Sequence, residues 1–224
     1  MKQIVRNFSV FLMAALVITA CKSGNGDGGS TAHTEHGDKP AKKSKKELSL
    51  EDKAMNTFTN STVIVTGAMM LAFSDAFKSQ AESFATIFGE ETTEESLKKI
   101  DEEIAGLDNE TILTLGTMRD EMKHAFDSLA KENMTVYKKL FLHEKMKEGV
   151  EITTKYELPK GFPPLSEELT EAELKRYIVK LISADGNEED PIVKTYTELM
   201  MWFQEVGKEI ENDEELKKML SSMQ

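Results

Sequence analysis

The sequence predicts an all-α protein in which residues 49–224 form a single helical bundle of about five to seven helices behind a flexible tether. Apolar side chains recur every three or four residues over most of this region, which is the period of an amphipathic helix. Serine, threonine or aspartate precedes several of these segments, as expected for helix N-caps. No segment alternates apolar and polar residues like a strand, and no long-period repeat occurs.

The first predicted helix begins at Ser49, which forms a capping pattern with Asp52. Its apolar stripe consists of Phe58, Thr62, Val65, Met69, Phe73, Phe77, Phe84 and Phe88. Within this stripe, residues 62–73 are apolar enough to make insertion into a bilayer an alternative. The segment is shorter than the roughly 20 residues that span a membrane, so we expect a buried core helix.

A second capping box, Thr92 with Glu95, precedes a short amphipathic helix. Its apolar side chains are Leu97, Ile100 and Ile104, and Gly106 can end it.

A longer helical segment follows from Asp108 or Asn109 toward Gly149. It is either one helix or two helices with a break near Asn133. Residues 150–165 then end in "LPKGFPPL" and contain three prolines, which helices do not tolerate in their interior. We expect an extended connection laid over the bundle.

The sequence pattern in the last third of the chain predicts three more helices. Thr170 with Glu173 forms a third capping box, and Asp190 with Pro191 provides an N-cap and a first-turn proline for a helix through about residue 210. Asp213 begins a last short helix.

Met200, Met201, Trp202 and Phe203 are consecutive in the second of these helices. Four large apolar neighbours point in all directions around a helix. That helix therefore either lies at the centre of the bundle or offers one face to a partner, and we favour the central position.

The beginning of the chain is typical of an export signal. Lys2 and Arg6 are followed by an apolar run, residues 8–20, which is too short for a transmembrane helix. The run ends in Ile18-Thr19-Ala20-Cys21, an aliphatic residue, two small residues and the only cysteine of the chain.

This stretch, about a tenth of the chain, resembles the lipobox of bacterial lipoproteins. The resemblance implies that residues 1–20 are removed, that Cys21 is lipidated, and that the membrane is a partner through the lipid anchor. A second acyl chain makes such anchoring stable. Lys22 follows the cysteine, where an aspartate favours retention at the inner membrane in enteric bacteria, so the expected location is the outer membrane of the cell envelope.

The composition excludes several classes of function. Without Cys21 the exported part has neither a disulfide framework nor a thiol nucleophile. The chain has 28 Lys plus Arg against 40 Asp plus Glu. Removal of Lys2 and Arg6 leaves a net charge of about −14, so nucleic acid is not an expected partner.

Residues 21–48 carry no large apolar side chain before Leu48 and are expected to be a flexible tether with a mean reach of about 30 Å. Gly24, Gly26 and Gly29 match a dinucleotide-binding pattern but lack the strand and helix that such a site needs. His33 and His36 are more simply solvated than metal-bound. A lysine cluster is either solvated or attracted to anionic headgroups, and it consists of Lys39, Lys42, Lys43, Lys45 and Lys46.

The helical region offers two weak metal-binding patterns. Glu121 and His124 form an E-x-x-H element, but His143 lacks the matching glutamate that a di-iron bundle requires. We therefore expect His124 to form a surface ion pair with Asp120 or Glu121.

Asp185, Asn187 and Glu189 resemble the start of a calcium loop. Asp190 replaces the glycine that the loop needs, so a turn between helices is favoured. No metal site or cofactor is therefore predicted.

The leading hypothesis is a lipid-anchored envelope protein whose non-catalytic helical domain binds a protein partner or serves as a surface component. The candidate contact residues are Phe162, Pro163, Pro164, Leu165 and Trp202. The alternative is an envelope metal-dependent protein or enzyme that uses His124, His143 and nearby carboxylates. A third hypothesis is membrane perturbation by residues 62–73.

Overall fold

The computed structural model describes residues 47–72, 93–105, 109–141, 144–183, 187–215 and 218. In these ranges the fold is all-helical, with seven helices and no strand, as predicted. The helices are α1 (Leu50–Ala72), α2 (Glu94–Ala105), α3 (Asn109–Glu132), α4 (Met134–Phe141), α5 (Glu144–Ile152), α6 (Glu171–Ser183) and α7 (Pro191–Asn212). The predicted signal, lipobox and most of the tether lie outside the described residues, as does the extension of the first helix to Phe88.

Helix α1 is the central element of the bundle. It packs against α3, α4, α5 and α6, and the residues between Thr59 and Val65 are all buried. Seven consecutive buried positions cover every side of a helix, because 3.6 residues complete a turn. The predicted core helix is confirmed for this part of residues 62–73, while Phe73 lies outside the described residues.

Three buried threonine hydroxyl groups of α1 bond to the helix itself. Thr57, Thr59 and Thr62 each donate to the carbonyl oxygen four residues earlier, at 2.8, 2.9 and 2.8 Å. Burial of a hydroxyl costs free energy unless it is hydrogen-bonded, and these bonds remove that cost without a second element. A polar sequence can therefore occupy the centre of the bundle.

Three predicted helix starts are confirmed. The Ser49 amide donates to Asp52 Oδ2 at 3.3 Å and the Asp52 amide donates to Ser49 Oγ at 3.1 Å, which closes a capping box. The same reciprocal pair joins Thr170 and Glu173 at 2.7 and 3.3 Å. Asp190 Oδ1 accepts from the amide of Ile192 at 2.8 Å and thereby caps α7.

The predicted capping box of Thr92 with Glu95 is replaced by one that begins a residue later, and Thr92 itself lies outside the described residues. The Thr93 amide donates to Ser96 Oγ at 2.8 Å, and the Ser96 amide donates to Thr93 Oγ1 at 3.1 Å. Ser96 is buried at the start of α2, so its short hydroxyl reaches back along the helix. Glu95 instead faces solvent and pairs with Lys99.

The break near Asn133 is confirmed. Helix α3 ends at Glu132, and Asn133 Oδ1 accepts from the amide of Val136 at 3.2 Å to start α4. Helix α5 extends to Ile152, so the predicted connection begins later than residue 150.

Helix α7 is not the central helix of the bundle, because Thr197, Met201, Glu205 and Lys208 form an exposed stripe along it. Its aromatic side chains nevertheless enter the core. Trp202 and Phe203 are buried, while Met201 is 54% exposed. Phe203 packs edge-on against Phe58 of α1 with ring centroids 5.5 Å apart, and Phe126 of α3 packs against the same ring at 5.7 Å. Three helices therefore meet around Phe58. None of the described helices is long and apolar enough to cross a bilayer.

Candidate functional site

Residues 153–170, which we call the strap, connect α5 to α6 without regular helix. Phe162, Leu165 and Leu169 are 3%, 0% and 6% exposed, so the strap inserts three apolar side chains into the core. The sequence predicted an extended connection that lies over the bundle. In the structure, part of this connection is buried in the core.

Two of the predicted contact residues need correction at this point. Phe162 packs edge-on against Tyr177 of α6, with ring centroids 5.1 Å apart, and Leu165 is fully buried. Neither side chain is accessible to a partner on the surface of this domain. Pro163 and Pro164 between them remain partly exposed.

Polar side chains of α1 hold the backbone of the strap. The side-chain amide of Asn60 donates to the carbonyl oxygens of Leu165 and Glu167 at 2.9 and 3.0 Å. One turn earlier, the amide of Asn56 donates to the Ser166 carbonyl oxygen at 3.3 Å. A buried carbonyl without a partner costs about 1–3 kcal/mol, so these bonds make it possible to bury an irregular segment.

The flanking carbonyls of the strap have partners on α6 and α3. Tyr177 Oη donates to the Pro163 carbonyl oxygen at 2.6 Å. Arg176 donates to the Gly161 carbonyl oxygen at 3.4 Å and forms an ion pair with Asp101 of α2. These contacts fix residues 161–163 of the strap between α2 and α6.

The end of the strap is fixed by Arg119, which donates to the Leu169 carbonyl oxygen at 2.8 Å. A buried hydrogen bond between the Thr153 and Ser166 hydroxyls, at 2.9 Å, joins its first residue to its middle. Side chains thus hold the strap to the helices, and its own backbone bonds are short turns such as the one from the Phe162 amide to the Pro159 carbonyl oxygen.

Sequence reasoning missed the residues that hold the strap. Asn56 and Asn60 are one helical turn apart in a segment of small and apolar residues. The side-chain amide of an asparagine on the buried face of a helix needs a hydrogen-bond partner. The spacing of the two asparagines was therefore the one sign in the sequence that another segment packs against this face. The identity of the partner depends on a contact across more than a hundred residues, which local patterns do not encode.

Trp202, the third buried contact candidate, is also a core residue. Its indole Nε1 donates to the carbonyl oxygen of Lys145, and its ring lies directly against Gly149 of α5. A side chain at position 149 would overlap the indole ring. The expectation that Trp202 contacts a partner is therefore corrected, and its role is to join α5 and α7.

One group of polar side chains on the surface links the strap to α7. Glu198 accepts hydrogen bonds from Lys155 at 2.7 Å and from the Tyr156 hydroxyl. These two donors lower the pKa of the Glu198 carboxyl, and the same carboxylate raises the pKa of Tyr156. This arrangement stabilises a charged carboxylate, and it leaves Glu198 poorly suited to act as a base.

The residues of the metal hypothesis do not form a site in the described part of the chain. His124 is exposed on α3, Asp120 beside it pairs with Arg119 at 3.4 Å, and His143 lies outside the described residues. Within the described ranges no group of three histidine, cysteine or carboxylate side chains is arranged to hold a metal ion.

The predicted turn before α7 matches what the structure describes of it. Asn187 Oδ1 accepts from the Glu189 amide at 3.1 Å, and Glu189 pairs with Lys194 at 2.7 Å. Asp190 pairs with Lys180 at 2.8 Å in addition to capping α7. Asp185 lies outside the described residues. Asp190 therefore joins α6 to α7, while Asn187 bonds within the turn and Glu189 pairs with the first turn of α7.

The described residues form an all-helical bundle in which Asn56, Asn60 and Tyr177 bond to the backbone of the strap. Comparison with protein-family profiles, with curated proteins and with solved structures finds no match for this chain.

Proposed function

We propose that this protein is a lipid-anchored lipoprotein of the cell envelope, held at Cys21, whose non-catalytic helical domain binds a protein partner or serves as a surface component. The observation that carries the proposal is the lipobox Ile18-Thr19-Ala20-Cys21 directly after a charged and apolar N-terminal segment. Stable attachment follows from more than one acyl chain. Lys22 after the cysteine favours the outer membrane.

The use of polar groups in the domain supports a non-catalytic role. Asn56, Asn60 and Tyr177, which are buried, donate to carbonyl oxygens of the strap. Glu198 is held in its charged form by Lys155 and Tyr156. Catalytic sites need groups with a pKa near the working pH and free to exchange protons. The polar groups described here act instead as structural ligands.

A partner surface on the strap centres on Pro163 and Pro164. They are the two predicted contact residues that remain partly exposed, and buried neighbours on either side fix their positions. Fixed backbone reduces the entropy lost on binding, which favours recognition at this point.

Fatty-acid labelling tests the anchor. Cells that express the wild-type chain should incorporate labelled palmitate into this protein, and the Cys21→Ser variant should incorporate none. Lys22→Asp is the matched control, because it should keep the label and move the protein toward the inner membrane. Label that persists in Cys21→Ser, or is absent from the wild type, would contradict the proposal.

Site-specific photo-crosslinking on intact cells tests the partner surface. A photoreactive residue in place of Pro164 should give a discrete adduct, and the same residue at exposed Ser128 of α3 should not. Equal adducts at both positions, or none at Pro164, would argue against a partner at the strap.

A further inference from the structure

Two methionine side chains reach the surface of the bundle in the described part of the chain. Met201 of α7 is 54% exposed, and Met134, the first residue of α4, is 49% exposed. Two other methionines, Met122 and Met146, are only 6% and 5% exposed and belong to the core. Met134 and Met201 therefore present their thioethers to solvent, whereas Met122 and Met146 do not.

Met200 and Met201 are neighbours in the sequence but lie in different surroundings. Met200 is partly buried and packs against the core, whereas Met201 belongs to the exposed stripe of α7. Consecutive side chains of a helix point about 100° apart, which explains the difference. The two residues therefore provide a matched pair, in which the same chemical group is accessible to solvent at one position and packed at the next.

An accessible thioether reacts with peroxides to give methionine sulfoxide. The sulfur lone pair attacks one oxygen of hydrogen peroxide, so a sulfur–oxygen bond forms and the oxygen–oxygen bond breaks. The second oxygen leaves as hydroxide and takes the proton of the attacked oxygen to form water. The sulfur is oxidised by two electrons, and the peroxide is reduced by the same two electrons. The product is a polar side chain that accepts hydrogen bonds through its new oxygen.

The surroundings of Met201 are compatible with this polar product. Glu198 and Glu205 lie three residues before and four residues after Met201, so the three side chains share one face of α7. The two carboxylates pair with Lys155 at 2.7 Å and with Lys145 at 2.6 Å. These ion pairs neutralise the negative charges that would otherwise repel a sulfoxide oxygen at Met201.

Met134 is also placed where a polar product does not disturb the fold. It follows the cap residue Asn133 and lies in the first turn of α4. The positive end of the helix dipole lies there and favours groups that carry negative partial charge. A sulfoxide oxygen carries such a charge, so oxidation of Met134 does not oppose the start of α4.

We propose that Met134 and Met201 are oxidation sites at which the protein accepts oxygen atoms from peroxides while the bundle stays folded. Oxidation of a buried methionine differs in its effect, because it places a polar group in the core. Methionine sulfoxide is converted back by methionine sulfoxide reductases, so each surface site can accept oxygen repeatedly. Neither site depends on the proposed attachment at Cys21.

Peptide mass spectrometry after limited treatment of the full chain with hydrogen peroxide tests the two sites. Met134 and Met201 should be oxidised about tenfold faster than Met122 and Met146, in line with exposed fractions of 49% and 54% against 6% and 5%. Met200 should be oxidised more slowly than Met201. In urea these differences should disappear, because unfolding exposes every thioether. Equal rates in the folded protein would overturn the assignment of the sites.

Tryptophan emission and the urea midpoint test whether the bundle survives oxidation. Trp202 is buried against Gly149, so its emission reports an intact core. Protein oxidised at Met134 and Met201 should keep the emission and the midpoint of the untreated protein.

Glutamine provides a polar side chain of similar length that needs no oxidant. Met201→Gln should leave the urea midpoint unchanged, whereas Met146→Gln, the matched control in the core, should lower it or prevent folding. A lower midpoint or a shifted emission after oxidation of Met134 and Met201 would overturn the proposal. Equal midpoints for the two glutamine variants would also overturn it.

Discussion

The side-chain amide of Asn60 donates to the backbone carbonyl oxygen of Leu165 at 2.9 Å, across 105 residues of sequence. The same amide also reaches the carbonyl oxygen of Glu167. Asn60 therefore ties the central helix to the middle of the strap, where Leu165 fills the core. The position of the strap depends on this buried side chain more than on any regular backbone pairing.

Asn60→Ala should lower the free energy of unfolding by about 2–3 kcal/mol, because one buried and one partly buried carbonyl lose their donor. Urea unfolding measures the change as a lower midpoint at an unchanged slope. Asn212→Ala, at an exposed position near the end of α7, is the control and should leave the midpoint almost unchanged. A loss no larger than that of the control would mean that the strap does not depend on Asn60.

Gly149→Ala should destabilise the protein by about 1–3 kcal/mol, because the new methyl group overlaps the Trp202 ring. The tryptophan emission should shift as the indole moves from its site against Lys145. Gly207→Ala, at a partly exposed position on α7, should be neutral or stabilising. An unchanged emission spectrum in Gly149→Ala would contradict the described contact.

Asp190 should be coupled to Lys180 in a double-mutant cycle. Its carboxylate caps α7 and pairs with the Lys180 ammonium, and the two side chains are 11% and 10% exposed. Asp190→Ala should cost about 3 kcal/mol, because it removes the cap and leaves a nearly buried charge. Lys180→Met should cost less, and the double variant should show a coupling energy above about 1 kcal/mol. Strictly additive losses would argue that the pair contributes nothing.

Stability should fall as the pH rises above about 10, the ordinary pKa of tyrosine. Burial raises the pKa of Tyr196 and Tyr177, so the folded protein keeps phenols neutral that ionise once the chain unfolds. This contribution is complete below the unfolded pKa and is lost above it. Tyrosinate absorbance at alkaline pH should be lower in the folded protein than in urea.

Tyr196→Phe should reduce the fall in the free energy of unfolding above about pH 10. It should also stabilise the protein at neutral pH, because the Tyr196 hydroxyl has no hydrogen-bond partner among the described residues. A destabilised variant with an unchanged alkaline limb would contradict this account.

The helices and three of their starts could be predicted from the sequence because both depend on near neighbours. Ser49 with Asp52 and Thr170 with Glu173 are three residues apart, so the pattern contains the whole contact. The predicted pair of Thr92 with Glu95 was wrong because Thr93 and Ser96 have the same spacing, and the sequence does not indicate which pair forms the cap.

The role of the strap could not be predicted in the same way. Its three prolines indicate a segment that is not helical. The sequence does not distinguish whether Phe162 and Leu165 form an exposed apolar patch or part of the core. The partners that decide this, Tyr177 and Asn60, lie on distant helices. Trp202 shows the same limit, since its partner Lys145 contributes only a backbone carbonyl, which carries no sequence signal.

Mass spectrometry of the mature N-terminus tests the central claim most directly. The account predicts that residues 1–20 are absent and that the first residue is Cys21, with its mass increased by two or three acyl chains. A mature chain that begins at another residue, or at an unmodified Cys21, would contradict it.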